Sequence, residues 1–212
     1  VAFDVDGTLY PNRAVYMRAL PFALRNLSAI RAFSRVRKEI RKIRPLANLH
    51  HTQAELFAAR RKISAQDATG LINRLFYGKW NAIMRTARLF PHARETLLRL
   101  RAAGLKLAAL SDFPLANKLE AWGIGGIWDY RKSCEDIGYL KPNPEPFQDV
   151  AGFFGVPAGE ILYVGNNYAY DIVGAKNQGF MAAHITRHAP PDSVADFSFS
   201  DYRRLGDWIT DT

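Results

Sequence analysis

Four short apolar runs limit what this chain can fold into. Residues 1–5 (VAFDV), 105–110 (LKLAAL), 161–164 (ILYV) and 180–185 (FMAAHI) are each too short for a core helix and read as buried strands. Helical stretches with clear punctuation separate them. Residues 92–103 follow Pro91 and stop at Gly104, and residues 171–178 stop at Gly179. Repeated strand–helix–strand units predict an α/β fold, a Rossmann-like parallel sheet covered on both faces by helices. Sheets of this kind carry their working residues in loops at the carboxyl ends of the strands.

One block breaks the pattern. Residues 13–89 hold 17 Lys/Arg against three acids (Glu39, Glu55, Asp67), a net of +14, whereas the rest of the 212-residue chain nets −5. Within the block, Leu20, Leu24, Leu27, Ile30, Phe33, Val36, Ile40 and Ile43 recur every three or four residues and trace one face of a helix. Pro21 lies near its start and Pro45 just past its end. Further helices are expected over 52–63 and 64–80, the latter with Ser64 and Asp67 as a capping signal. The boundary in charge and pattern divides the chain into an α/β core, 1–12 and 90–212, and a helical insertion, 13–89.

Composition excludes several classes. The single Cys134 rules out an internal disulfide and suits a reducing, cytoplasmic interior. No apolar run reaches membrane-spanning length and no basic-then-apolar leader is present. The chain starts inside an apparent strand without methionine, so a few residues are expected to precede this numbering.

Four strand-end loops carry chemistry. Asp4 and Asp6 in DVDGT repel each other unless a cation or proton lies between them; the alternative is a capped strand-to-turn junction. Ser111 in LSDF offers a hydroxyl and following N–H groups to an anionic oxygen, or simply caps a helix. Three prolines after Lys141, in KPNPEPF, stiffen the backbone and fix the direction of that lysine, as an ion-pair partner or a phosphate ligand. VGNNYAYD ends the fourth segment with Asn166, Asn167 and Asp171.

FDVDGTLY, LSDF, KPNPEPF and VGNNYAYD resemble, in order, the four motifs of the haloacid dehalogenase-like superfamily. The helical insertion sits where that family places a cap. The resemblance implies a phosphatase of small phosphorylated metabolites. Asp4 would be the nucleophile that becomes an aspartyl-phosphate, and Asp6 the general acid and then base. Ser111 and Lys141 would hold phosphoryl oxygens, with Gly7, Thr8 and Asp112 beside them. Magnesium would bind Asp4, the Asp6 carbonyl, Asn166 and Asp171. The family usually carries an acid where this chain has Asn166, which lowers the attraction for the metal by one charge.

Competing readings remain. Dehalogenases of the family need no metal and usually lack the second aspartate, whereas Asp6 is present here. A binding module descended from an enzyme fits Asn166 but not the retention of Asp4, Asp6, Lys141 and Asp171. The basic block is also compatible with an anionic partner such as nucleic acid or a membrane surface, although a solvated helix face accounts for most of its charges. His50 and His51 read as surface residues and Cys134 as core. The four tryptophans are too scattered for a stacking platform. Oligomeric state is left open.

Overall fold

The computed structural model describes residues 1–211. Six strands form one sheet: β1 (Ala2–Phe3), β2 (Ala108–Ser111), β3 (Tyr130–Ser133), β4 (Leu162–Gly165), β5 (Met181–Ile185) and β6 (Phe197–Phe199). All are parallel, in the order β3-β2-β1-β4-β5-β6. The central strand β1 pairs Phe3 with Ala109 on one side and with Val164 on the other. Chain order reverses beside β1, and that reversal opens a crevice at the carboxyl ends of β1, β2 and β4.

The two-residue period of the strands sorts their side chains between two cores. Ala2, Ala108, Leu110, Tyr163 and Ala182 face one, while Phe3, Ala109, Leu162, Val164 and Ala183 face the other. Both sets are buried, which explains why the segments read as continuous apolar runs. The four expected strands are present. β3 and β6 were not expected from the sequence; both lie at sheet edges, where one side needs no apolar cover.

Between β1 and β2 the chain forms α1 (Asn12–Ile40), α2 (Leu49–Arg61), α3 (Ala65–Ile72), a π-helical stretch (Asn73–Trp80) and α4 (Asn81–Arg85). Ser64 caps α3, accepting from the Asp67 N–H as expected. The first helix differs from expectation. It starts at Asn12, so Pro21 lies inside it, and its backbone leaves helical geometry at Asn26 (φ −124°, ψ 19°). At that residue the side chain takes the ladder's acceptor, Asn26 Nδ2 donating to the Phe22 carbonyl at 2.8 Å, and a kink results. The kink breaks the expected apolar face. Phe33, Val36 and Ile40 are buried, but Leu20, Leu24 and Leu27 are 52%, 69% and 43% exposed, with Val15 and Ala19 buried in their place. Phe33 stacks on Phe76 (centroids 3.8 Å apart), and this helical core is continuous with the Leu110 face of the sheet.

The remaining helices cover the sheet: α5 (Ala93–Ala102), α6 (Lys118–Ala121), α7 (Cys134–Ile137), α8 (Pro144–Phe154), α9 (Val173–Asn177) and α10 (Tyr202–Thr210). Gly104 (φ 82°) and Gly179 (φ 79°) stand where the predicted helices stop, in the left-handed region that glycine enters without strain. No helix among the described residues is long and apolar enough to cross a membrane.

Candidate active site

The strand ends aim their side chains at one cavity of about 420 Å³, lined from the sheet by Asp4, Asp6, Asp112, Lys141, Asn166 and Asp171. Asp4 continues β1, its N–H donating to the Val164 carbonyl at 2.8 Å. The chain then turns at Gly7 (φ 96°). A Cβ there would stand 2.7 Å from Asn166 Nδ2, so glycine lets the first loop pass against the fourth. The Thr8 hydroxyl donates to Asp4 Oδ2 at 2.7 Å and lies 3.2 Å from Asn166 Oδ1.

Lys141 holds the centre. Its ammonium donates to Asp4 (2.8 Å), Asp171 (2.7 Å) and the Tyr163 hydroxyl (2.9 Å), and the residue is 2% exposed. Burial pulls its pKa down, but Asp171 and Asp4 outweigh this and raise it well above the ordinary value. Burial pushes the Asp4 carboxyl up to about 7, opposed by Lys141 and reinforced by Asp171.

Asp6 has its own set of donors: Tyr10 Oη (2.8 Å), Ser111 Oγ (2.8 Å) and Lys118 Nζ (2.9 and 3.0 Å). Ser111, expected to face a phosphoryl group, is fully buried with its hydroxyl donating to Asp6 and accepting from the Phe113 N–H at 3.1 Å. Ser111, Gly7 and Thr8 support residues that line the cavity and do not line it themselves. Asp112 accepts from the Lys141 N–H (3.1 Å) and pairs with Arg41. Burial raises its pKa, but Arg41, Lys141 and Arg37 together hold it below the usual carboxylate range.

The fourth loop resolves the two amides. Asn167 is a cap: its side chain accepts from the Tyr170 N–H (3.0 Å), and its N–H donates to Asp171 Oδ2 (2.9 Å). Asn166 is aimed at Asp4 through Thr8, and its carbonyl lies 3.1 Å from His184 Nε2. Gly165 permits the return of Asp171, since a Cβ would stand 2.3 Å from Asp171 Cβ.

Asp4, Asn166 and Asp171 offer oxygen ligands at this end of the cavity, and oxygen sets suit a hard divalent cation. The Thr8 hydroxyl touches both Asp4 and Asn166, which places these two side chains at the same end of the cavity. Among the described residues no group of three or more His, Cys, Asp or Glu side chains has metal-holding geometry, so an ion here would rely on amide and main-chain oxygens as well. The side chains of His50 and His51 are exposed (55% and 67%), and Cys134 is buried with its thiol pKa pushed up by burial.

Sequence reasoning missed several residues. Lys118 is fully buried against Asp6, although its local sequence NKLEA reads as an ordinary surface helix. Tyr163 breaks an aliphatic strand, ILYV, and that hydroxyl was the available signal. Arg37 and Arg41 belong to the basic block, for most of whose charges a solvated face was expected, and both reach the core. Arg37 is 5% exposed, pairs with Glu135 and donates to the Asp112 carbonyl at 2.6 Å. Arg41 pairs with Asp112 and donates to the Lys141 carbonyl at 2.6 Å.

Known proteins resemble this chain in sequence and in fold. Over 225 residues the chain is 28% identical to the glyceraldehyde 3-phosphate phosphatase of Methanopyrus kandleri, covering 99% of this chain and 96% of that protein. It is 32% identical over 143 residues to (S)-2-haloacid dehalogenase 4A of Burkholderia cepacia, covering 66% of this chain and 59% of that protein. The fold superposes on the L-2-haloacid dehalogenase of Xanthobacter autotrophicus with a TM-score of 0.68 and 21% identity, covering 99% of this chain and 97% of that one. The sequence profile of haloacid dehalogenase-like hydrolases matches residues 1–179. A parallel sheet whose three polar strand-end loops meet one buried lysine from the α7–α8 loop therefore has a family: the chain is a haloacid dehalogenase-like hydrolase, an enzyme with phosphatase relatives.

Proposed function

We propose that this hydrolase cleaves small phosphate monoesters, with residues 13–89 acting as a cap over the cavity. One observation carries the reading. A second carboxylate, Asp6, lies two residues beyond Asp4 and lines the same cavity. A halide leaves carbon as a stable anion and needs no proton, whereas an alkoxide leaving phosphorus does. An acid beside the nucleophile thus favours phosphate esters over haloacids. The phosphatase of M. kandleri, matched over nearly its whole length, points the same way.

In this reading Asp4 attacks phosphorus, the ester P–O bond breaks, and Asp6 gives its proton to the departing alkoxide. Asp6 then takes a proton from the water that attacks the aspartyl-phosphate, releasing inorganic phosphate and restoring Asp4. Lys141 balances charge on Asp4 throughout, and Lys118, Tyr10 and Ser111 hold the Asp6 carboxylate in place. Asp4, the Asp6 carbonyl, Asn166 and Asp171 would hold magnesium, which supplies charge neutralisation and polarises the phosphoryl group. A cap that closes would exclude water and select the leaving group. The free Cys134 suits a reducing cytoplasmic setting.

Phosphate release from a panel of monoesters with magnesium, run beside halide release from 2-haloacids, tests the proposal. Phosphate release that disappears in Asp4→Asn is expected. Halide release without phosphate release would establish the dehalogenase alternative, and neither product would point to a binding module.

A further inference from the structure

The sheet side of the cavity is charged, and the side supplied by the helical segment is mainly apolar, with an aromatic cluster at its centre and Ser34, Lys38 and two arginines among its polar members. Phe33 and Phe76 stack face to face at 3.8 Å, and Phe113 stands 6.2 Å from Phe33. Tyr16 and Trp80 lie 6.3 Å apart, and Met84 completes the wall. The two guanidinium groups lining the cavity are already committed, Arg37 to Glu135 and Arg41 to Asp112. They are poorly placed to serve as free ligands for a polar leaving group.

That wall constrains the alcohol. A carboxylate or hydroxyl laid against aromatic faces loses water and gains few hydrogen bonds in exchange. An apolar ring loses nothing by leaving water and gains edge or face contacts with Phe33, Phe113 and Trp80. A two- or three-carbon polar ester would fill only the charged end near Asp4 and leave the aromatic end in contact with water. We infer that the cavity takes a phosphate monoester whose alcohol carries an apolar, ring-bearing group, with phosphate at Asp4 and Lys141 and the ring against Phe33, Phe113 and Trp80. The inference rests on the phosphomonoesterase reading and narrows it. It sets this chain apart from what the names of its phosphatase relatives describe.

Two primary alkyl esters of similar intrinsic reactivity, 2-phenylethyl phosphate and ethyl phosphate, isolate the ring. With magnesium present, kcat/KM is expected to favour the phenylethyl ester by about ten- to hundredfold, the range for burying one large apolar group. Trp80→Ala should shrink the ratio between the two esters, a readout that cancels any change in the fraction of folded enzyme. A ratio near one, or better turnover of phosphoglycolate and glyceraldehyde 3-phosphate than of the phenylethyl ester, overturns the inference and leaves the phosphatase reading standing. An unchanged ratio in Trp80→Ala overturns the placement of the ring. No phosphate from any ester overturns the underlying reading and this inference with it.

Discussion

Lys141 can be tested as the charge balance of the site by removing its ammonium alone. In Lys141→Met the volume is nearly kept, while Asp4 and Asp171 lose a cation at 2.8 and 2.7 Å and the Tyr163 hydroxyl loses a donor at 2.9 Å. All of these groups are buried. Removing one partner of a buried pair typically costs about 3–5 kcal/mol, because the remaining charge stays desolvated and unpaired. Set against a total of about 5–15 kcal/mol for a domain, that is a large fraction. Removing one carboxylate as well, in Lys141→Met with Asp171→Asn, should return about 1–3 kcal/mol of the loss, a coupling between contacting residues. Urea unfolding followed by tryptophan fluorescence, with chelator present so that no metal replaces the lysine, measures both. The pH dependence has a fixed sign. Asp4 is already raised by burial to about 7, and losing Lys141 raises it further. A carboxyl raised in the fold costs stability above its folded pKa and costs little once the pH falls below the ordinary carboxylate range. The deficit of the single variant should therefore shrink as pH is lowered. A loss under about 1 kcal/mol, or a double variant less stable than the single, would refute the assignment, since the floor of the range for a broken buried pair is about 3 kcal/mol.

Four further outcomes follow from the geometry. Arg37→Met strands Glu135, whose side chain is fully buried and whose Oε2 has no other hydrogen bond, and should cost about 3–5 kcal/mol in urea unfolding. Exposed Arg35→Gln should stay within about 0.5 kcal/mol of the parent. Gly165→Ala drives a methyl into Asp171 and should destabilise by about 1–3 kcal/mol while lowering phosphate release by about a hundredfold, read in parallel by unfolding and phosphate assays. Asn166→Asp should tighten magnesium binding in calorimetric titration; unchanged affinity would place that side chain away from the metal.

Much of the sheet was legible because its central strands are buried on both faces and so are apolar throughout. The edges were not. β3 carries Arg131 and Lys132 between Tyr130 and Ser133, and β6 is only three residues long, so neither produces an apolar run. The candidate site was legible as four loops: carboxylates and glycines stand directly after β1, β2 and β4, and the proline-stiffened Lys141, expected at a strand end, lies in the loop between α7 and α8. Its supports were not. Lys118 meets Asp6 across 112 residues, and Arg37 meets Glu135 across 98. No local pattern marks a lysine or arginine that will find a carboxylate so far along the chain. Periodicity failed in the first half of α1 for a different reason: counting every third or fourth residue assumes a straight helix, and the break at Asn26 rotates one half against the other.

The arginines also change how the charge of the helical segment is understood. A net of +14 is compatible with an anionic partner, with most of its charges on a solvated helix face, yet Arg37, Arg41 and Arg44 pair with Glu135, Asp112 and Glu145 of the chain beyond β2. Part of the asymmetry in charge is therefore complementarity between the helical segment and the sheet. The same accounting bears on Asn166. In the site, Asp4 and Asp171 share the Lys141 ammonium, and Asp6 pairs with Lys118. On the proposed reading a divalent cation would add positive charge at the Asp4 end and strengthen its pull on a phosphate dianion. An aspartate at 166 would hold the metal more firmly but place one more negative charge beside the phosphate and weaken that pull. On the same reading an amide at this position would exchange metal affinity for substrate attraction. It also predicts that Asn166→Asp lowers the magnesium Kd while raising KM for the ester.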